Sequence, residues 1–405
     1  VTILAPCRQT AAQASWAAMQ QPNDLPALTT TVFERMSRLA QELGAINLGQ
    51  GFPDMAEPPE LVEAGCRALR DRSNQYPPMR GLPQLRGAVA DYYARHQGLT
   101  ISPDEVLVTS GATEALASAI LAVVRPGDEV VLIQPLYDAY LPLVERAGGT
   151  VRLVSLQPPH WRLDLAELAA AIGPRTRALV LNSPNNPAGA LLDRATLEAI
   201  GDLAERHNLY VISDEVWEGM TFGAAHFTST LAIPALRDRT FKIGSAGKLF
   251  SMTGWKVGWI VASPRLLAAA AQQHQFLTFT TATPLQWAAA EGLALPQDWH
   301  RAHRARYAAA RDRLVRALSA AGFVLLPADG TWFVIADLAA SGLPAGDDTA
   351  LAERLIREAG VASIPVSAFY AARPERGYLR LCFAKQDDTL DEAAARLARF
   401  RTAAS

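Results

Sequence analysis

Ala178-Leu179-Val180-Leu181, then Asn182-Ser183-Pro184-Asn185-Asn186-Pro187-Ala188-Gly189, then a helical run over Leu192–His207, then Val211-Ile212-Ser213-Asp214: this stretch reads as strand, turn, helix, strand. Both apolar runs are short and continuous rather than alternating, as in strands covered on their two faces. Strands joined through a helix run parallel. The same rhythm continues outward. Val106–Thr109 reads as a strand followed by a helix over Glu114–Val124, and Val130–Ile133, Val151–Ser155 and Phe241–Gly244 read as further strands. From about Glu60 to about residue 300 this alternation predicts an α/β fold, with a mainly parallel central sheet and helices on both faces.

The flanks have another rhythm. Thr31–Leu43 carries apolar residues at helical spacing and runs into the glycine- and proline-bounded loop Ile46–Asp54. A long helix over Gln297–Ala321 precedes strand-like Phe323–Leu326 and Trp332–Ala336, a helix over Thr349–Glu358, and a strand at Tyr378–Cys382. The expected organisation is a flexible arm over residues 1–24, a large domain over 59–299, and a smaller α+β domain built from both chain ends, 25–58 and 300–405.

Charged residues are 19% and the formal net charge is -2, which leaves no electrostatic footprint for nucleic acid or an anionic membrane. The arginines between Arg301 and Arg316 alternate with alanine, as on a solvated helix face. The apolar run Val1 to Ala5 is shorter than a signal sequence needs, and no later run reaches the ~18 apolar residues of a membrane span. Cys7, Cys66 and Cys382 lie far apart, a spacing that supports neither a disulfide framework nor a metal site. A reducing, cytoplasmic setting is expected.

Four segments carry chemistry. In Ser245-Ala246-Gly247-Lys248 a lysine among small residues follows a buried strand. A flat ligand packed there would desolvate the amine and make it nucleophilic toward an aldehyde. Taken alone, Lys248 reads equally as an exposed loop lysine. Asp214 closes an aliphatic strand, so it stands at the carboxyl edge where open α/β sheets bind ligands. A carboxylate there can hold a pyridinium proton; it can also simply cap the next helix. Asn182–Gly189 is a rigid turn able to present an amide, or only a turn. Ser110-Gly111-Ala112-Thr113-Glu114 is a strand-to-helix junction whose free N–H groups suit a phosphate.

Together, and with Thr253-Gly254-Trp255-Lys256-Val257-Gly258-Trp259, these segments resemble the class I/II aminotransferases of the aspartate aminotransferase fold (fold type I). The similarity is greatest to the kynurenine–glutamine branch, which includes methionine and N-succinyldiaminopimelate aminotransferases. It covers about residues 28–400, and Asn47–Asp54, Asn74–Pro78 and Tyr378–Phe383 add to it. The resemblance implies pyridoxal 5′-phosphate held as a Schiff base on Lys248. It implies Asp214 on the ring nitrogen, Asn186 on the ring hydroxyl, and Tyr137 stacked on the ring. Ala112, Thr113, Ser245 and Lys256 would hold the phosphate, with Tyr76 reaching in from the second subunit of a homodimer. Arg380 and Gly51 would receive the substrate carboxylate, and Phe33, Phe279, Thr280 and Trp332 its side chain. That lining favours large uncharged amino acids such as Met, Gln, aromatic residues or kynurenine, with a 2-oxo acid as acceptor and ping-pong kinetics. N-succinyldiaminopimelate stays open as a substrate through Arg80. A cysteine-S-conjugate β-lyase remains an alternative, because the same residue set serves elimination. A non-catalytic cofactor-binding regulator is least favoured, since the stretch before the matched region is too short for a winged helix. Two departures stand out: Lys256 where many relatives have Arg, and Trp217 where the family usually has a Tyr that bonds the ring oxygen. Indole donates a hydrogen bond but does not accept one.

Overall fold

The computed structural model describes residues 31–404. The expected arm over residues 1–24 lies outside the described residues.

The first strand, β1 (Ile46–Asn47), falls in the segment read as a loop; two residues are too few to leave a pattern. The central sheet is built from β2 (Val106–Thr109), β3 (Glu129–Gln134), β4 (Thr150–Gln157), β5 (Arg162–Leu163), β6 (Thr176–Asn182), β7 (Tyr210–Asp214), β8 (Thr240–Ser245) and β9 (Gly258–Val261). Their order is β2-β9-β8-β7-β6-β3-β4-β5. The pairs β4–β3–β6–β7–β8 are parallel, while β9 runs antiparallel to both β8 and β2. Alternate residues leave to opposite faces, and both faces are buried. Ala178 and Val180 of β6 point into one core, Leu179 and Leu181 into another. The exception is Lys242 in the middle of β8. It is fully buried, with Nζ 2.6 Å from both Glu215 and Glu218, and Tyr93 donates to Glu218 at 2.8 Å.

Register decides what the sheet's edge presents. Asn182 stands opposite Asp214, Asp214 opposite Ile243, Ser245 opposite Gly258, and Gly258 opposite Thr109. The ends of β6, β7, β8 and β2 therefore lie side by side, and the loops that leave them meet. A single connection, residues 246–257, joins β8 to β9.

The second sheet contains β10 (Val324–Leu325), β11 (Phe333–Asp337), β13 (Ile364–Pro365) and β14 (Tyr378–Cys382), in the order β10-β11-β14-β13 and antiparallel throughout. Beside it, β1 pairs in parallel with β12 (Val361–Ala362). Helix Val32–Glu42 begins at Thr31, whose hydroxyl caps Glu34 N–H, and packs against this β1–β12 pair. The helix expected over Thr349–Glu358 is an α-helix at Asp348–Arg354 that widens into a π turn over Leu355–Ala359. The helix expected from Glu114 begins at Gly111, because the Glu114 carboxylate reaches back to the Ser110 N–H at 3.0 Å. No helix among the described residues is long and apolar enough to cross a membrane.

Candidate active site

The meeting loops enclose a cavity of about 410 Å³, closed on its other side by residues of the second sheet and of helix Val32–Glu42. Asp214 lies at its floor and is buried. Tyr140 donates to Asp214 Oδ2 at 2.6 Å, and Val216 N–H to Oδ1 at 3.3 Å. Burial pushes this carboxyl above its ordinary value, and the Tyr140 bond opposes that push. Asn182 is bonded through its amide to the Asp214 carbonyl and accepts from the Asn186 N–H, which fixes the turn that carries Asn186.

Arg380, on β14, crosses to meet that turn. It donates to Asn186 Oδ1 at 2.8 Å and to the Gly49 carbonyl at 2.6 Å. Arginine only donates, so it orients the Asn186 amide and leaves Nδ2 as the free donor. Arg380 is buried rather than a surface arginine on a strand, and its Nε has no partner among the described residues. Its guanidinium lies 3.9 Å from the Phe333 ring centre, 4.8 Å from Phe369 and 6.0 Å from Phe33. A buried guanidinium with an unused N–H is a receptor for a carboxylate. Gly51 faces this wall, and a Cβ there would stand 2.7 Å from Phe333 Cζ. Its lack of a side chain thus makes room for the Phe333 ring.

Lys248 sits on the short helix Ala246–Leu249 directly after β8. Its Nζ is 4.8 Å from the Trp217 ring centre and 5.2 Å from Trp332. Burial lowers its pKa to about 8, with the charges of Arg380 and Lys256 adding to the effect and that of Asp214 opposing it. The amine is therefore available as a nucleophile near neutral pH.

The opposite end of the cavity is cationic. Helix Gly111–Val123 starts with open N–H groups at Gly111, Ala112 and Thr113, and Ser245 at the end of β8 and Lys256 on the β8–β9 connection line the same end of the cavity. Lys256 holds a left-handed backbone (φ 53°), and its Nζ lies 3.3 Å from where a Gly111 Cβ would be. Gly258 permits the approach: a Cβ there would come within 2.7 Å of the Gly111 carbonyl carbon. Tyr137 lies along the cavity, its hydroxyl 3.4 Å from Thr113 Oγ1.

Of the residues singled out from sequence, Phe33, Gly51, Ala112, Thr113, Tyr137, Asn186, Asp214, Trp217, Ser245, Lys248, Lys256 and Arg380 line this one cavity. Trp332 does not; it is buried behind Trp217, and its neighbour Phe333 forms the wall. Tyr76 and Phe279 stand outside, exposed and packed edge to face at 5.6 Å. Arg80 is turned away toward the Asp104 carbonyl. Tyr140, Asp138, Phe333 and Phe369 were not anticipated. Tyr140 had a signal, lying three residues after Tyr137 so that one turn brings the rings within 5.7 Å. Phe369 comes from a remote 3₁₀ turn and had none.

The pyridoxal phosphate implied by the resemblance fits these groups. A desolvated amine, a buried carboxylate, an amide with a free donor and a cationic helix N-terminus surround one space. A family profile described as "Aminotransferase class I and II" matches residues 44–397. The methionine aminotransferase of Escherichia coli is 43% identical over 92% of this chain and 96% of its own length. The human kynurenine–oxoglutarate transaminase 1 is 35% identical over 90% and 94%. The solved structure of N-succinyldiaminopimelate aminotransferase from Mycobacterium tuberculosis superposes with a TM-score of 0.88 at 43% identity, covering 92% of this chain and 97% of that one. This chain belongs to the class I and II aminotransferases and is a transaminase that works through pyridoxal 5′-phosphate.

Proposed function

We propose that this enzyme takes the amino group from an L-amino acid with a large uncharged side chain and passes it to a 2-oxo acid, in two half-reactions at Lys248. The observation that carries the reading is the cavity itself. The Lys248 amine and the Arg380 guanidinium face one space, and the wall around Arg380 is aromatic, formed by Phe33, Phe333 and Phe369.

When bound, the cofactor supplies an electron sink conjugated to the substrate's α-carbon. The chain supplies the rest. Lys248 Nζ would hold the cofactor, and once freed its amine would take the proton from the α-carbon and redeliver it. Asp214, held by Tyr140, keeps the ring nitrogen protonated. Asn186 Nδ2 donates to the ring oxygen, and Tyr137 covers the ring. The Ala112 and Thr113 amides, Ser245 and Lys256 bind the phosphate. Arg380 receives the α-carboxylate through N–H groups that its two bonds leave unused, while those bonds to Asn186 and Gly49 hold the guanidinium still. Trp217 fills the corner where the family's Tyr would bond the ring oxygen, leaving Asn186 to serve that oxygen.

The substrate preference follows from charge. Lys248, Lys256 and Arg380 are the cations among the described residues of the cavity wall, and each has a partner in this scheme. A distal carboxylate would meet Phe33, Phe333, Phe369 and the Asp138 carboxylate instead. Methionine, glutamine, aromatic amino acids and kynurenine meet no such penalty. N-succinyldiaminopimelate is the second reading, on the strength of the 43% identical Mycobacterium tuberculosis enzyme. We further propose a homodimer in which Tyr76 and Phe279 of one subunit complete the other's site, a large domain over 59–299 with a smaller one from 25–58 and 300–405, and a cytoplasmic setting that keeps the free thiols of Cys66 and Cys382 reduced.

The test is the absorption spectrum of the purified enzyme as Met, Gln, Phe, kynurenine, Glu or N-succinyldiaminopimelate is added singly, with no 2-oxo acid. Large uncharged donors should convert the cofactor's visible band to the near-ultraviolet band of pyridoxamine phosphate, and Lys248→Ala should show no conversion. Fast conversion by N-succinyldiaminopimelate alone would replace the substrate reading. Absence of conversion by every donor would sink the role of Lys248.

A further inference from the structure

His274 is fully buried, near the end of helix Pro264–Leu277. Its Nδ1 lies 3.0 Å from Glu114 Oε1 and its Nε2 3.0 Å from the Met79 carbonyl. A carboxylate and a carbonyl only accept hydrogen bonds, so a ring that serves both at once carries two N–H groups and a positive charge. Glu114 is engaged as an acceptor on both oxygens: Oε2 takes the Ser110 N–H at 3.0 Å, and Oε1 takes the Ser118 hydroxyl at 2.7 Å. Each end of this bridge touches the site. Glu114 is in the first turn of the helix that presents Ala112 and Thr113, and Met79 closes the loop that carries Tyr76.

We propose that His274 is a positioning residue, a buried cation that balances Glu114 beside the phosphate subsite and ties the Tyr76–Met79 loop to it. The inference rests on the phosphate assignment made above. A carboxylate one helical turn from a bound phosphate dianion repels it, and an imidazolium in contact with that carboxylate cancels most of the repulsion. The same ring is a physical strut. Thr283 Oγ1 donates to the Gln75 carbonyl and Gln286 accepts from Leu82 N–H, so the loop is held at its two ends and, through His274, at its centre.

The surroundings favour the charged ring. Burial pulls the imidazole pKa down, but the bond to Glu114, its charge, and the backbone contacts at Met79 and Phe279 together raise it above its ordinary value. Glu114 is the charged group bearing on the ring. Thr278 offers only a hydroxyl, at 3.3 Å from Nδ1. Arg80, Asp104 and Glu105 on the packed segments face elsewhere: Arg80 toward the Asp104 carbonyl, Asp104 toward Arg86, and Glu105 toward Arg237. For a raised imidazole the strut is complete below the ordinary value and is lost as pH climbs through the raised one.

The test uses pyridoxamine phosphate, which carries the phosphate but forms no bond to Lys248. Its dissociation constant from the loaded enzyme is measured by equilibrium dialysis between pH 7 and pH 10. In the wild type it should weaken as His274 deprotonates. His274→Gln should weaken it about tenfold at neutral pH, the order of one charge-assisted contact, and reduce the pH dependence to what the remaining groups of the site, Lys248 among them, contribute. Glu114→Gln should move the weakening to lower pH. Ring ¹⁵N resonances of histidine-labelled enzyme should show both His274 nitrogens protonated at pH 7, a reading that holds even if His274→Gln does not fold. A bare ring nitrogen at pH 7, or superimposable profiles for wild type and His274→Gln, would overturn the proposal. Failure of the wild type to retain pyridoxamine phosphate would instead overturn the phosphate assignment, with the ¹⁵N reading still deciding the charge of His274.

Discussion

At the scale of single residues, the site is a set of side chains whose spare hydrogen-bonding capacity has been aimed by their neighbours. Arg380 spends two of its five N–H groups on Asn186 and Gly49, which leaves the other three and the Asn186 Nδ2 as donors. Asp214 spends one oxygen on Tyr140. Without that bond, burial would push the Asp214 carboxyl higher still, and the proton would stay on Asp214 rather than on the ring nitrogen it serves. Tyr140→Phe should therefore lower kcat/KM by roughly tenfold to a hundredfold, the range expected for losing a hydrogen bond to a charged group. The acid limb of the rate profile should move to higher pH, because the pKa being titrated rises. A variant with unchanged kcat/KM and an unmoved acid limb in steady-state assays would show that Tyr140 only fills space.

At the scale of elements, register brings the site together, and here sequence and structure inform each other unevenly. The strand end at Asp214 was legible because a continuous aliphatic run stops abruptly there, whereas the strands that carry Lys242 and Arg380 each hold a basic residue at their centre and were legible only as short runs between turn residues. What a run cannot state is which strand lies beside it. That β9 returns antiparallel between β8 and β2 depends on packing far from its own residues, and so does the crossing of Arg380 from the second sheet to Asn186. Phe333 opens β11 and enters the cavity, while Trp332, in the bend just before it, turns into the core behind Trp217, and sequence does not say which of two adjacent aromatics faces in. Gly258 shows what the register demands. Gly258→Ala would place a methyl within 2.7 Å of Gly111 and 2.9 Å of Ala112 N, at a backbone-to-backbone contact that cannot yield cheaply. It should cost about 1–3 kcal/mol and lower Tm by several degrees. Because it displaces the helix N-terminus, it should also weaken cofactor binding in dialysis, whereas a merely destabilised variant would bind normally once folded.

At the scale of the whole molecule, half of the large exposed apolar side chains among the described residues are gathered in one place. Phe276, Leu277 and Phe279 end helix Pro264–Leu277 and begin the next loop, and Tyr76 packs on Phe279. Phe276 is 85% exposed and Tyr76 82%, an unusual cost for a lone chain to bear in water. If this face joins two copies, Phe276→Glu should give a monomer by sedimentation velocity, with activity falling alongside dimer content. An active monomer would separate the site from the second copy. The His274 strut described above then has a place in the assembly, since it braces the loop that would cross between subunits.

Lys248 and Lys256 ride on the single connection between β8 and β9, anchored at one end by Ser245 and at the other by Gly258. A cofactor held by both lysines, as proposed, would close that connection into a ring, covalent at one side and ionic at the other. Loss of either grip would open the ring but leave the cofactor held by the other, so release would need both to be lost. The stripped enzyme has the same strands but an unclasped connection, and heat or a protease would find its first purchase there.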